Sequence, residues 1–128
     1  MKTATLLIAI LLVLTAGPVS VFANDEGGKR DFEADCARCH GADGKGTGSV
    51  KRVPGYVSVD LTKLAANNGG QFPRQRIFDS IDGKMKVAAH FSGDMPRWGA
   101  KFASHEQDEA GHKRISALVD YIESMQQK

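Results

Sequence analysis

The stretch DCARCHGADGKG, residues 35–46, decides how the rest of the chain is read. It holds both cysteines of the 128-residue chain, Cys36 and Cys39, with His40 directly after the second. A C-x-x-C spacing serves three chemistries: a redox disulfide, half of a zinc site, or covalent attachment of haem. Structural zinc takes four Cys or His ligands at set spacings. The other histidines are His90, His105 and His112. His105 and His112 stand seven apart, outside the usual two-histidine spacing, and His40 adjoins a cysteine. A redox pair normally follows a strand and opens a helix, whose N-terminus stabilises the thiolate. No strand pattern precedes Asp35. Phe32, Cys36 and Cys39, at i, i+4 and i+7, place the cysteines at the end of a helix instead.

Covalent attachment accounts for all three residues. Two thiols about one helical turn apart on one face can add to the two vinyl groups of a haem. The imidazole that follows can ligate the iron. His40 is therefore the expected axial metal ligand, and Cys36 and Cys39 the expected haem tethers. The opposite ligand must come from Met85, Met95, Met125, His90, His105 or His112. Met85 lies between lysines and Met125 ends an amphipathic helix; both read as packing or surface methionines. Met95 stands in SGDMPRWG (residues 92–99), where Pro96 keeps it out of a helix. A loop of that kind can present one thioether to iron. His90, five residues earlier, is the rival ligand.

Outward from the motif the chain reads as one small domain. MKT, ATLLIAILLVL and TAGPVSVFA form the charged, apolar and small-residue parts of a secretory signal peptide, residues 1–23, with cleavage near Ala23. Gly17 and Pro18 interrupt the apolar run, which opposes the rival reading of an uncleaved membrane anchor. Residues 24–128, about 105 in number, suit one domain with a modest core that gains from a staple or cofactor. Seventeen basic residues face fifteen acidic ones, a balance that gives no argument for nucleic acid.

KRDFEADCARC (29–39) predicts a helix. Five glycines and a proline make HGADGKGTGSVKRVPGY (40–56) a loop. DLTKLAANNGG (60–70) predicts a short helix capped by Asp60, and FPRQRIFDSIDG (72–83) another, with Pro73 in its first turn and Gly83 past its end. Ile77, Phe78 and Ile81 form its apolar face. HFSGDMPRWG (90–99) reads as loop. Ser104 and Gln107 fit a capping box before a last helix that runs to about Gln126. Ile115, Leu118, Val119 and Ile122 give that helix a stripe, and Gly111 is its weak point. No strand-like alternation occurs. The expected fold is all-α: about four short helices joined by long loops, which a bound cofactor would order.

With these residues in view, the chain resembles the class I c-type cytochromes, the small bacterial single-haem proteins with C-x-x-C-H-G early and M-P-x-W-G late. The likeness rests on Cys36, Cys39, His40 and Gly41, then on Met95 and Pro96. It extends to Gly28 and Phe32 before the motif and to Leu118 and Tyr121 in the last helix. The resemblance implies the cytochrome c fold, with the first and last helices crossing near a glycine and an aromatic contact. It implies one covalent haem c whose iron lies between His40 and Met95. It also suggests a proline carbonyl on the other nitrogen of His40, for which Pro54 stands in position. Trp98 and Arg76 are candidates for haem propionate contacts, or for packing and a solvated face respectively.

The expected function is single-electron transfer in the periplasm between redox partner proteins, by a monomer that meets a membrane only if its signal segment stays uncleaved. Lys45, Lys51, Arg52, Arg97 and Lys101 could form a basic rim for an acidic partner, or serve as ordinary solvated charges. The rival functions are a haem c subunit of a larger oxidoreductase, and a catalytic or gas-binding haem protein with a displaceable sixth ligand. No catalytic carboxylate pair, nucleophile triad or phosphate loop appears, so an electron carrier is expected rather than an enzyme.

Overall fold

A computed structural model of the chain describes residues 25–50, 58–85, 95–102 and 109–127. Outside these lie the signal segment, Lys51, Arg52, Pro54, His90, His105 and the Ser104–Gln107 capping box. Every regular element among the described residues is helical, as the sequence predicts. None of these helices is long and apolar enough to cross a membrane.

The first helix changes its winding along its length. Asp25–Asp31 (α1) is α-helical, Phe32–Cys36 forms a π turn, and Ala37–His40 (α2) returns to α. The Ala37 N–H donates to the Phe32 carbonyl, five residues back instead of four. The plain α-helix expected here is thus corrected by one wide turn, of the kind often found at functional sites.

The core lies where this helix crosses Glu109–Ser124 (α5). Ile115, Leu118, Val119 and Ile122 are all buried, as their spacing predicts, and Phe32 is completely so. Each such side chain contributes roughly 1.5–3 kcal/mol relative to exposure. The helices approach closely because α1 offers a glycine. A Cβ on Gly28 would stand 2.0 Å from the Ala117 carbonyl oxygen. One turn on, the Phe32 and Tyr121 rings meet at 5.3 Å, tilted by 57°, a favoured aromatic geometry. The buried Asp31 carboxylate is matched by Arg114 of α5, whose Nε donates at 2.9 Å. Burying a charge is tolerable only with such a partner.

Arg74–Asp82 (α3) follows the prediction closely. Pro73 precedes it, and Gly83 ends it in the left-handed conformation, at φ 88°. Ile81 is buried, with Ile77 and Phe78 against the core. Arg74 ties α3 to α5 through Asp120 and Glu123.

Two expectations need correction. The segment read as loop through Gly99 turns helical at Trp98, giving Trp98–Phe102 (α4). Trp98 and Phe102, one turn apart, are both buried and stack at 5.6 Å. Burial of two aromatics outweighs the roughly 1 kcal/mol that a helical glycine costs. The glycine also has a use: a Cβ on Gly99 would fall 2.1 Å from an Asp82 carboxylate oxygen. The second correction concerns residues 60–70. Two 3-10 turns, Leu61–Lys63 and Ala66–Asn68, replace the single helix expected. Asp60 still caps, accepting from the Thr62 N–H at 3.0 Å. However, the Gln126 amide is interposed where an α-helix would bond Leu61 to Ala65. Its Nε2 donates to the Leu61 carbonyl at 2.7 Å, and its Oε1 accepts from the Ala65 N–H at 2.9 Å. The Thr62 carbonyl accepts from the Gln127 N–H at 2.9 Å.

Candidate haem-attachment site

The C-x-x-C-H segment sits where α2 gives way to a loop folded back on it. Helix ends leave carbonyls without partners, and here the loop supplies them. Gly46 N–H donates to the His40 carbonyl at 2.7 Å, and Val50 N–H to the Arg38 carbonyl at 2.9 Å. The reversal starts at Gly41, with φ 80° and ψ 151°, a conformation that glycine adopts at little cost. Asp43 braces the bend, its carboxylate accepting from Lys45 N–H at 3.1 Å and the Thr47 hydroxyl at 3.0 Å. These bonds, the Lys45 N–H foremost, hold the Asp43 carboxyl below its usual range. Leu61 N–H donates to the Gly44 carbonyl at 2.7 Å and closes the loop against the first 3-10 turn.

Cys36 and Cys39 are both half-buried and carry no disulfide. Burial, with the Asp35 and Asp31 carboxylates adding, pushes the Cys36 thiol up to about 12. A dithiol oxidoreductase needs the opposite, an attacking thiol shifted down toward neutrality. The redox reading of the pair therefore fails on electrostatics as well as context. Among the described residues no group of three or more His, Cys, Asp or Glu could hold a metal ion; His90 and His105 lie outside them.

His40 ends α2 half-buried. Its Nδ1 lies 3.3 Å from the Val59 carbonyl oxygen. Burial lowers its pKa, and the carbonyl bond only partly opposes this, so the ring is neutral near pH 7. With its proton on Nδ1 and directed at the carbonyl, the neutral ring keeps its lone pair on Nε2. That is the tautomer a metal-ligating histidine uses, with a backbone carbonyl fixing the ring. Two unbridged thiols and one oriented neutral imidazole on a five-residue segment form a donor set that fits a covalently attached haem. The carbonyl suggested for this bond was that of Pro54, which lies outside the described residues; the partner observed is Val59. A backbone carbonyl carries no residue-type signature, and Val59 stands 19 residues along the chain from His40, so only the fold discloses the pairing.

Met95 lies in the bend three residues before α4, half-buried against the core. The rival ligands His90 and His105 fall outside the described residues, and His112 stacks on Phe78 at 5.7 Å. Met85 accepts from the Ser80 hydroxyl at 3.8 Å. Met125 packs beside Gly44 and the core. Both are local packing residues, as expected. Trp98 is buried in α4, and Arg76 is exposed on α3. Of the basic residues singled out, Lys45, Arg97 and Lys101 are exposed. Lys101 also donates to Asp35 at 2.6 Å and lies 4.2 Å from the Trp98 ring centre.

Comparison with known proteins agrees with this geometry. The family model described as Cytochrome c matches residues 26–126, from within α1 to just beyond α5. Neither the curated proteins nor the solved structures gave a match.

Proposed function

Because the chain belongs to the cytochrome c family, whose work is haem-based electron transfer, we propose that it is a single-electron carrier of the periplasm. The family's cofactor is haem c with its iron, covalently attached. In this proposal Cys36 and Cys39 would tether the haem, and His40 and Met95 would hold its iron. When bound, the haem supplies an iron that accepts and releases one electron. The chain's residues determine how readily it does so.

The observation that carries the reading is the His40 ring, neutral and anchored at Nδ1 by the Val59 carbonyl. The anchor holds Nε2 in one orientation and strengthens it as a donor. Met95 contributes a soft, uncharged sulfur, which favours the reduced iron over the oxidised. Its half-buried position against apolar side chains acts in the same direction. With His40 and Met95 both holding the iron, no position would be left for a substrate, which favours an electron carrier over a catalytic or gas-binding haem protein. Class I members are typically extracytoplasmic, and residues 1–23 provide the export signal in this proposal. The partners are redox proteins that make brief contacts through small interfaces.

The test is a reduced-minus-oxidised absorption spectrum of protein matured with haem, beside that of Met95→Ala. The wild type should show a thioether-to-iron band when oxidised, and the variant should lack it. Identical spectra would overturn the Met95 assignment. Protein emerging from competent cells with neither thiol alkylated would overturn the whole reading.

A further inference from the structure

Two acidic residues of the first helix, Asp31 and Asp35, reach toward α4 and α5 from neighbouring turns. Asp31 accepts from Arg114 at 2.9 Å, and Asp35 from Lys101 at 2.6 Å. Each cation also covers an aromatic ring of α4. The Arg114 guanidinium lies 4.0 Å from the centre of Phe102, and the Lys101 ammonium 4.2 Å from that of Trp98. The two rings stack on each other. A closed circuit results: acid, cation, ring, ring, cation, acid. It holds the five residues of α4 between α1 and α5. Arg114 serves two contacts, tying α1 to α5 through Asp31 and covering Phe102 of α4, while Lys101 ties α4 to Asp35.

What the circuit does hold is the exit of the methionine loop. Met95 stands three residues before Trp98, joined to it by Pro96 and Arg97. Pro96 fixes one backbone torsion of that link. The Arg97 stem lies against Gly83, close enough that a Cβ on Gly83 would meet it at 2.6 Å. A short, stiff link transmits the position of α4 to Met95. We propose that Asp31, Asp35, Arg114 and Lys101 form a double clasp that positions Met95, setting how easily the thioether is displaced from iron. The proposal rests on Met95 being the sixth ligand, as argued above. All four are positioning residues acting through α4.

The two arms differ in strength. The Asp31 side chain is 8% exposed, and that of Asp35 is 20% exposed. Removing the partner of a more deeply buried carboxylate costs more, so the Arg114 arm is the stronger.

Imidazole titration of the oxidised, haem-loaded protein reads the displacement directly. An external ligand binds iron only when the thioether leaves, so its apparent affinity reports loop opening. Arg114→Met should tighten imidazole binding about tenfold, and Lys101→Met about threefold, since an opening equilibrium shifts by the energy lost from the closed state. Lys101→Arg keeps charge and stacking and should bind as wild type does. Arg74→Met provides the control. It breaks ion pairs to Asp120 and Glu123 at the α3–α5 contact, and should lower thermal stability without changing imidazole affinity. Clasp variants that bind imidazole as wild type does would overturn the clasp alone. Tightening by Arg74→Met equal to that of Arg114→Met would overturn it too, by showing general destabilisation. If the spectrum of Met95→Ala matches wild type, the proposal falls with the ligand assignment beneath it.

Discussion

The helix crossing at Gly28 and the loop that follows His40 are built from different forces. At the crossing, buried side chains do the holding. Phe32 and the α5 stripe exclude water, and the Tyr121 ring lies tilted against Phe32. In the loop, among the described residues 41–50, no large apolar side chain is buried. Backbone bonds hold it instead: to the His40 and Arg38 carbonyls, and from the Leu61 N–H to the Gly44 carbonyl. A hydrogen bond contributes only about 1 kcal/mol net, and a solvent-exposed one is easily exchanged for water. The crossing is therefore the more firmly held of the two regions, and the loop the more readily opened.

This contrast can be broken experimentally. Gly28→Val should have the largest effect. The Ala117 carbonyl is backbone and cannot yield, so the helices must separate, at a cost of about 3 kcal/mol. Thermal unfolding of the haem-loaded protein measures it, and the visible spectrum should stay unchanged below the transition. Gly46→Ala tests the other region. Gly46 has φ 78°, and a Cβ there would stand 2.2 Å from the Ser58 carbonyl oxygen. A loss of about 2 kcal/mol is expected, this time with a perturbed spectrum, because Ser58 adjoins the Val59 that holds His40. Were Gly28→Val to alter the spectrum and Gly46→Ala to leave it alone, the division of labour would be reversed.

How much of this could be read from the residues differs between the two regions. The α5 stripe declares itself by its 3.6-residue period, and Gly28 and Phe32 stand at the offsets that the resemblance implies. The motif names its own thiols and imidazole. Hidden are the contacts made by backbone atoms or by polar side chains far away in sequence. Val59 holds His40 through a carbonyl, which every residue possesses. Gln126 reaches Leu61 and Ala65 across more than sixty positions, and nothing in LTKLAANN marks the interruption. The Asp31–Arg114 pair is equally silent, since charged residues on helices usually face solvent.

Gln126→Ala sharpens the contrast at smaller scale. Removing the amide lets Leu61 and Ala65 bond each other, so the net loss should be about 1 kcal/mol. Far-ultraviolet circular dichroism should then show slightly more helix, as the 3-10 turns relax toward α. The smallest effect is an acid titration. Burial lowers the folded-state pKa of His40 below its ordinary 6.5. The unfolded chain thus binds this proton first, and stability from the neutral ring is present above pH 6.5 and lost as pH falls through the folded value. Thermal stability of the protein before haem is attached should hold steady from pH 8 to 6.5 and fall only below. A transition centred above 6.5 would contradict the burial of the ring.

The tie between the Gln126 amide and the turn at Leu61, like the seat of Phe32 on α5, has a consequence for the order in which the molecule is made. The thiol-bearing segment is synthesised before residues 109–127. Until those residues dock, Phe32 lacks the α5 surface it packs on, and the turn after the motif lacks its amide. In the proposed function, an attaching catalyst would therefore reach both sulfhydryls more easily before α5 docks than after.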